Sequence, residues 1–391
     1  MAAPGLRATL ARELGFLARH PWEQALLLWF PAATLALILW LFSAGSPVGL
    51  PIAVVDEDHG SASRELVRRL SATRALAVAG QPASLDAAWP LVRAGSVYGV
   101  VHIPPDWERD GLRGAPQPVV LYDNAQFYLV AGIIGGDVRA AVASMAADKA
   151  VASEARFGDG FAQAAARLAA VQADLRTLFN PTLSYEAYLA GMLMPAVLHL
   201  FAVIAGVTAL GREFRDRSVD AWLAAAGGSL PRALAGKLAP VLAAYLLLGL
   251  LLIVTLAGWR GWTPAGSLAL WVAALALLMA ASLALAILFV AATVNLRVAL
   301  SLTGFYVATA LAFSGATFPL SAMSEAARGW ALLLPYTHYL PLQQGQWQGG
   351  ASAAAWAAGV LPLLPFVAIP LALGLPLLLR ATRQPERWGA R

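Results

Sequence analysis

Histidines and acidic residues are the side chains of this sequence with the widest chemical use, as metal ligands or as general acids and bases. The five histidines are widely scattered, and neither a His-Glu-x-x-His nor a Gly-x-Ser-x-Gly motif is present. An acidic run, Asp56 to Asp58, would suit a hard cation, but no further ligand returns at a suitable spacing. Because the run follows β-branched residues, turn chemistry at the end of a strand explains it better. The sequence therefore predicts neither catalytic residues nor a metal site.

Gly236 and Lys237 look like the end of a phosphate-binding loop, which would hold the phosphates of ATP. Pro231 stands where the first glycine of that loop belongs, and Leu238 replaces the Ser or Thr that would hold Mg²⁺. The chain is therefore predicted to lack an ATPase site and not to be an enzyme. It contains no cysteine, so no disulfide or thiolate site is available either.

The composition predicts what kind of structural elements carry these residues. Of the 391 residues, 59% are hydrophobic and 13% are charged, and the mean hydropathy is +0.66. An apolar stretch of about 20 residues can cross the hydrocarbon layer as a helix, because a helix satisfies its own backbone polar groups. The sequence predicts a polytopic α-helical membrane protein with six transmembrane helices, at 22–42, 187–210, 238–258, 267–294, 299–318 and 353–379. A cleaved signal peptide is the alternative for the first stretch, but its length and the 21 residues before it favour a retained helix.

The distribution of Lys and Arg predicts the orientation, since cytosolic loops collect positive charge. Basic residues precede the first stretch, follow the second and fourth, and form a tail at 380–391, whereas the short loops opposite hold only Arg260 and Arg328. We expect a multi-pass protein of the bacterial inner (plasma) membrane with both termini in the cytosol. This asymmetry accounts for the pI near 9.7 without a nucleic-acid partner.

Residues 1–21 carry Leu6, Leu10, Leu14 and Leu17 at helical spacing with charged residues between them. This pattern predicts an amphipathic helix in the membrane interface. The helix either anchors the terminus or acts as a connecting helix that contacts a cytosolic partner.

Residues 45–186 have a different, more polar character and predict an extracytoplasmic α/β domain between the first and second spans. The predicted elements are strands at 52–56, 75–79, 97–103 and 118–122, helices at 61–72 and 85–94, and long helical segments at 125–156 and 168–178.

Three segments carry a family resemblance. A charged connector at 211–237 separates two apolar runs, and two motifs follow the fifth span: Ser314 to Pro319 and Pro335 to Tyr339. They resemble the coupling region and the Ser-Gly-x-x-Phe-Pro and Pro-x-x-His-Tyr elements of type 2 ABC exporter permeases, in the branch with a large extracytoplasmic domain after the first span. The connector departs from the commonest family pattern at Ser218 to Asp220, where Gly-Thr-Leu/Met-Glu is frequent.

The resemblance implies two groups of functional residues, and apolar residues in the spans suggest a third. In the coupling loop, 211–237, the residues implied for ATPase coupling are Arg212, Glu213, Phe214, Arg215, Asp216, Arg217, Asp220, Trp222, Leu223 and Lys237. In an outer re-entrant region, 319–350, and the turn before it, the outer-mouth residues are Ser314, Gly315, Phe318, Pro319, Pro335, His338 and Tyr339. Candidates for a substrate path, with core or lipid-facing positions as the alternative, are Tyr188, Met192, Met194, Phe201 and Phe305.

The function implied is that of a transmembrane permease subunit that moves a hydrophobic or amphipathic substrate, a drug-like molecule or a lipid, out of the cytosol or the inner leaflet. Its partners would be membrane lipids, cytosolic ABC ATPase subunits that hold ATP and Mg²⁺, and a second copy or a sibling permease. The chain itself would bind no cofactor, and its outer domain would extend the exit or receive a periplasmic adaptor protein. Two alternatives stay open: a membrane-anchored receptor or docking protein with a ligand-binding exterior domain, and an ion-driven secondary transporter. Six spans exceed what an anchor needs, and the lack of intramembrane carboxylates weakens the second alternative.

Overall fold

The structure is a computed structural model that describes residues 4–43, 45, 47–113, 117–156, 184 and 186–389. Contacts divide the chain into two compact units: unit 1 comprises Met1–Ser43 and Glu186–Arg391, and unit 2 comprises Ala44–Tyr185. The helices are α1 Leu6–Leu17, α2 Pro21–Leu41, α3 Ser61–Ala72, α4 Leu85–Arg93, α5 Trp107–Leu112, α6 Tyr128–Arg156, α7 Glu186–Arg215, α8 Val219–Ala225, α9 Leu230–Trp259, α10 Leu268–Thr293, α11 Leu296–Phe313, α12 Glu325–Leu332, α13 Pro335–Trp347 and α14 Ala353–Ala381. The strands are β1 Leu50–Asp56, β2 Leu76–Gly80, β3 Gly99–Ile103 and β4 Val120–Asp123.

Seven helical segments among the described residues are long and apolar enough to cross a membrane. Six of them, α2, α7, α9, α10, α11 and α14, contain or overlap the six predicted stretches. The seventh, Leu129–Asp148 in α6, belongs to unit 2 and was not predicted as a span. Its apolar face, with Ile134, Val138 and Met145, already packs against the sheet of unit 2. The polytopic helical architecture is thus confirmed, while the number of helices that cross the membrane stays a prediction.

Helix α10 is the central helix of unit 1 and packs against α7, α9, α11, α13 and α14. It is apolar on every side, as expected for a helix surrounded by other helices. Gly206 allows α7 to approach it closely, because a Cβ there would lie 2.8 Å from the Cβ of Ala286. His199 is fully buried in the same interface, with its Nδ1 2.7 Å from the Ser282 hydroxyl. His199 therefore lies in a helix interface.

Two prolines leave backbone carbonyls of the membrane helices without their usual donors. Pro195 has no N–H for the carbonyl of Gly191, four residues earlier, and the side-chain amide of Gln343 donates to that oxygen instead. In the π turn Ala25–Trp29 of α2, position 31 would donate to Leu26, but it is a proline. The Tyr245 hydroxyl donates to the Leu26 carbonyl over 3.1 Å. Side chains on α13 and α9 therefore donate to the backbone carbonyls that these two prolines leave free.

Unit 2 is an α/β domain with a four-stranded sheet in the order β2-β1-β3-β4. Strands β2, β1 and β3 are parallel, and β4 is antiparallel to β3. Helices α3 and α6 cover one face of the sheet and α4 covers the other. Both faces of β1 are buried, which is why its sequence is a continuous apolar run rather than an alternating one.

The predicted elements of unit 2 that lie within the described residues are confirmed within about three residues at each end. Helix α3 has the predicted bounds, whereas the six-residue α5 was not predicted because it contains four polar or glycine residues among its six. Asp56 accepts hydrogen bonds from the backbone N–H groups of Asp58 and His59, as turn chemistry at a strand end predicts. The predicted helical segment at 168–178 lies outside the described residues.

Candidate ATPase-coupling site

The charged connector is more helical than the sequence predicted. Helix α7 continues to Arg215 and α9 begins at Leu230, so only 216–229 lies between them, rather than a loop over 211–237. Helix α8, Val219–Ala225, lies within the connector. Arg212, Glu213 and Lys237 therefore lie on the ends of long apolar helices, whose packing fixes their positions.

Four helices contribute to a cluster of charged residues at this end of unit 1. We refer to Arg12 and Glu13 of α1, Glu23 of α2, Arg212 and Glu213 of α7, and Lys237 of α9 as the ion network. These side chains carry three positive and three negative charges, so the network is electrically balanced.

Glu213 is the acceptor on α7. Its two carboxylate oxygens accept hydrogen bonds from both terminal nitrogens of Arg12, at 2.7 and 2.8 Å. Lys237 Nζ lies 2.6 Å from the same carboxylate, and the Ser218 hydroxyl donates to it over 2.5 Å. The carboxylate raises the pKa of Arg12 above its ordinary value, mainly through this hydrogen bonding, against the opposing effect of burial. One side chain thus connects α1, α7, α9 and the start of the connector.

Glu13 performs the same role from α1. It accepts from Arg212 of α7 and from Lys237, whose Nζ lies 2.6 Å away. Arg212 also pairs with Glu23 at 3.0 Å and stacks on the Phe16 ring at 3.7 Å. Glu13, Arg212 and Glu213 are each no more than 2% exposed, and Lys237 is fully buried. Removing one member would leave another charge buried and unpaired, which typically costs about 3–5 kcal/mol.

The two fully buried residues of α1 are polar. Thr9 and Glu13 are buried, whereas Leu6 and Leu14 are about half exposed, at 48% and 51%. The helix packs closely on α9 at Gly236, where a Cβ would lie 2.7 Å from Thr9 Cβ. The predicted helix is present; its Leu6 and Leu14 are open to lipid or a partner, whereas Leu17 packs against the core of unit 1.

Helix α8 is fixed to its neighbours on both sides. The buried Trp222 indole donates to the Ala233 carbonyl of α9 over 3.1 Å. At the other end, the Gly5 N–H donates to the Ala225 carbonyl over 2.8 Å, which joins α8 to the start of α1. A displacement of α8 would therefore act on α1 and α9 together.

The structure divides the ten predicted coupling residues into two groups. Five of them are buried and have no surface to offer a partner: Arg212, Glu213, Phe214, Trp222 and Lys237. The other five reach the surface. Leu223 is partly exposed, and four residues are exposed: Arg215, Asp216, Arg217 and Asp220. Arg215 binds the neighbouring Asp216 carboxylate and holds its pKa below the ordinary value. Of these ten residues, only the second group has side chains accessible at the surface, and the first group joins the helices behind it.

The predicted outer-mouth residues lie on the turn after α11 and on α13, at the other end of the spans. Gly315 adopts φ +84° in this turn, and Phe318 is 51% exposed. Helix α12 lies between the turn and α13, and Ser324 caps its first turn. Pro335 begins α13, and its Tyr339 is buried and donates to Gln343 over 2.7 Å. Entry of these helices into the membrane stays a prediction.

The predicted substrate-path residues do not form one surface within this chain. Met192 and Met194 are buried in the core, at 4% and 0% exposure, while Phe305 is 68% exposed. Tyr188 is 38% exposed, and its hydroxyl lies 3.4 Å from the Ala316 carbonyl. The two methionines therefore serve packing here, and a substrate role for the set stays a prediction.

A comparison with protein families decides the assignment. The model of the family described as "ABC-2 family transporter protein" matches residues 22–374. The chain belongs to this family. No curated protein matches it significantly. Members of the ABC-2 family are membrane components of ABC transporters and lack an ATPase domain of their own, so family membership implies ATPase partners for this multi-pass permease.

Three members of the ion network, Arg12, Glu13 and Glu23, were absent from the predicted coupling set of this ABC-2 permease. A signal was present in the sequence. Glu13 and Glu23 are the only acidic residues in an otherwise basic N-terminal segment, and Glu13 is four positions from Thr9 on one helix face. What the sequence could not supply is the partner, because Arg212 is 199 positions away.

Proposed function

We propose that this chain is the permease subunit of an ATP-driven ABC exporter, and that the inner ends of its helices receive the motion of cytosolic ATPase subunits through α8 and α1. The observation that carries the proposal is the ion network, which joins α1, α7 and α9 directly behind the exposed residues of the connector. Closure of the ATPase subunits would press on α8 and displace α7 and α9 as one body.

The ion network suits this task because its bonds are buried and multiply shared. Exposed ion pairs contribute roughly 0–1 kcal/mol and yield easily, whereas separating buried charges is costly. A force on α8 would therefore move the attached helices before it separated them. The exposed Arg215, Arg217 and Asp220 would form the contact surface for the ATPase.

The remaining parts of the proposal concern direction, cargo and assembly. The cargo is a hydrophobic or amphipathic molecule, such as a drug-like compound or a lipid, moved out of the cytosol or the inner leaflet. Two ATPase subunits, which hold ATP and Mg²⁺, serve this chain and a second copy or sibling permease. Six spans with both termini in the cytosol place unit 2 outside the bacterial inner membrane, where it extends the exit or receives an adaptor. Positive charge at the connector and the 380–391 tail supports this orientation.

The experiment uses charge reversal at the exposed surface. Arg217→Glu with Asp220→Lys should lower recovery of the ATPase in co-purification at least tenfold and abolish ATP-driven cargo flux in proteoliposomes, without changing thermal stability. Arg328→Glu, an exposed change at the other end of the spans, is the matched control and should retain the ATPase. Full recovery of the ATPase by the double variant would refute contact at α8. Flux with this chain as the sole protein would support the secondary transporter instead.

A further inference from the structure

A cleft of about 380 Å³ lies between α13 and the first turns of α14. It is at the end of unit 1 away from the ion network, since α13 packs at Gly191 and the network at Arg212, the two ends of α7. The volume falls within the range of about 300–1,000 Å³ typical of small-molecule sites. Most of its lining residues are Leu, Pro, Ala or Gly, and none is Asp, Glu, Lys or Arg.

Two polar atoms in the wall of the cleft have no hydrogen-bond partner among the described residues: Thr337 Oγ1 and Trp356 Nε1. Thr337 is only 3% exposed. The other polar side chains of the wall have partners. The Gln346 amide donates to the Ala351 carbonyl over 3.0 Å, and His338 Nε2 lies 2.9 Å from the Leu332 carbonyl. Because a buried polar group without a partner is costly, these two atoms indicate an acceptor that comes from outside the chain.

The chemistry of the two atoms defines that acceptor. An indole N–H can only donate, and a threonine hydroxyl can donate, so an acceptor oxygen would satisfy each of them. With no cationic side chain in the wall, a neutral oxygen fits better than a phosphate. The rest of the lining is apolar and follows α14 from Ala355 to Pro362, a rise of about 10 Å. The occupant is therefore an apolar chain with a neutral acceptor oxygen at one end.

The position of Trp356 in its helix indicates what kind of molecule supplies such an apolar chain. Trp356 is in the first turn of the span Ala353–Ala381, which is the depth at which tryptophans meet the lipid interface. We infer that the cleft binds a membrane glycerolipid, with its ester carbonyls accepting from Thr337 and Trp356 and the acyl chain lying against Leu342, Gly359 and Pro362. Neither polar atom is open to water here, so this binding requires the side chains that cover the two atoms to move aside. This inference does not depend on the proposed export function.

The test compares two lipids that differ only at the proposed contact. Full-length protein in detergent is offered equal amounts of a dioleoyl phosphatidylcholine and its diether analogue, which lacks the carbonyls, and bound lipid is counted by native mass spectrometry. Wild type should retain the ester lipid about fivefold better, the effect of one net hydrogen bond. The preference should disappear in Thr337→Val with Trp356→Phe. Equal retention of the two lipids by wild type, or an unchanged preference in the variant, would overturn the inference.

Two further variants separate binding from folding. Trp330→Phe removes an indole donor that is already paired with Thr309 outside the cleft, and it should keep the lipid preference. Ala355→Trp keeps both polar atoms but fills the cleft, and it should lose the lipid. Lipid-free Thr337→Val should melt no lower than wild type, because an unpaired hydroxyl has been replaced by a methyl group of similar shape. Retention of lipid by Ala355→Trp, or marked destabilisation of Thr337→Val, would also count against the site.

Discussion

Glu13 is one of two carboxylates in the ion network, with Glu213, that pair with cations on two different helices. It accepts from Arg212 of α7 and Lys237 of α9, and it is 1% exposed. An amide at this position could not balance two buried positive charges. The residue therefore connects the N-terminal helix to the membrane helices electrostatically as well as by packing.

The first prediction concerns this residue. Glu13→Gln should lower the free energy of unfolding by about 3–5 kcal/mol, because it leaves buried charge without a counterion. Arg7→Gln, an exposed change on the same helix, should shift it by no more than about 0.5 kcal/mol. The measurement is reversible unfolding of the purified protein in mixed micelles. Equal effects of the two substitutions would show that the network contributes little.

At the scale of elements, side chains of other helices donate to the backbone carbonyls that prolines leave free in α7 and α2. The second prediction is a double-mutant cycle on Pro195 and Gln343. Gln343→Leu removes the donor to the Gly191 carbonyl and should destabilise the protein by about 1–3 kcal/mol. Pro195→Ala restores a backbone N–H for that carbonyl, so the double variant should recover about 1 kcal/mol. Strictly additive effects in the cycle would contradict the pairing.

The elements also show what the sequence could and could not predict. Apolar length and hydropathy located α2, α7, α9, α10, α11 and α14, and alternating strand and helix patterns located β1 to β4 with α3 and α4, because local physics fixes these segments. The end of α7 was placed five residues too early, since charges at 212–215 look like a loop until their buried partners are known. The partners of Arg212 and Glu213 could not be predicted, because ion pairing across about 200 positions depends on tertiary packing.

At the scale of the whole molecule, the number of spans is the prediction that most affects function. The chain has no cysteine, so single cysteines report accessibility without background. Arg217→Cys and Arg297→Cys should react with an impermeant maleimide only from the cytosolic side, and Arg328→Cys only from the opposite side. Ser144→Cys in α6 should react from that opposite side if six helices cross the membrane. Labelling of Ser144→Cys only after membranes are opened with detergent would contradict the six-span topology.

The central claim is that α1 and α8 move as one body when the ATPase subunits act. In the structure Pro4 Cβ lies 3.6 Å from the position of a Cβ at Gly227, within the range for a disulfide, and the reduced form of the same variant controls for the strain of a side chain at φ +67°. The direct test is cargo flux per ATP hydrolysed by the Pro4→Cys, Gly227→Cys permease with its ATPase in proteoliposomes, measured oxidised and reduced. We predict the same ratio in both forms, because the bridge joins parts that do not move relative to each other. A ratio that collapses on oxidation and returns on reduction would contradict the claim.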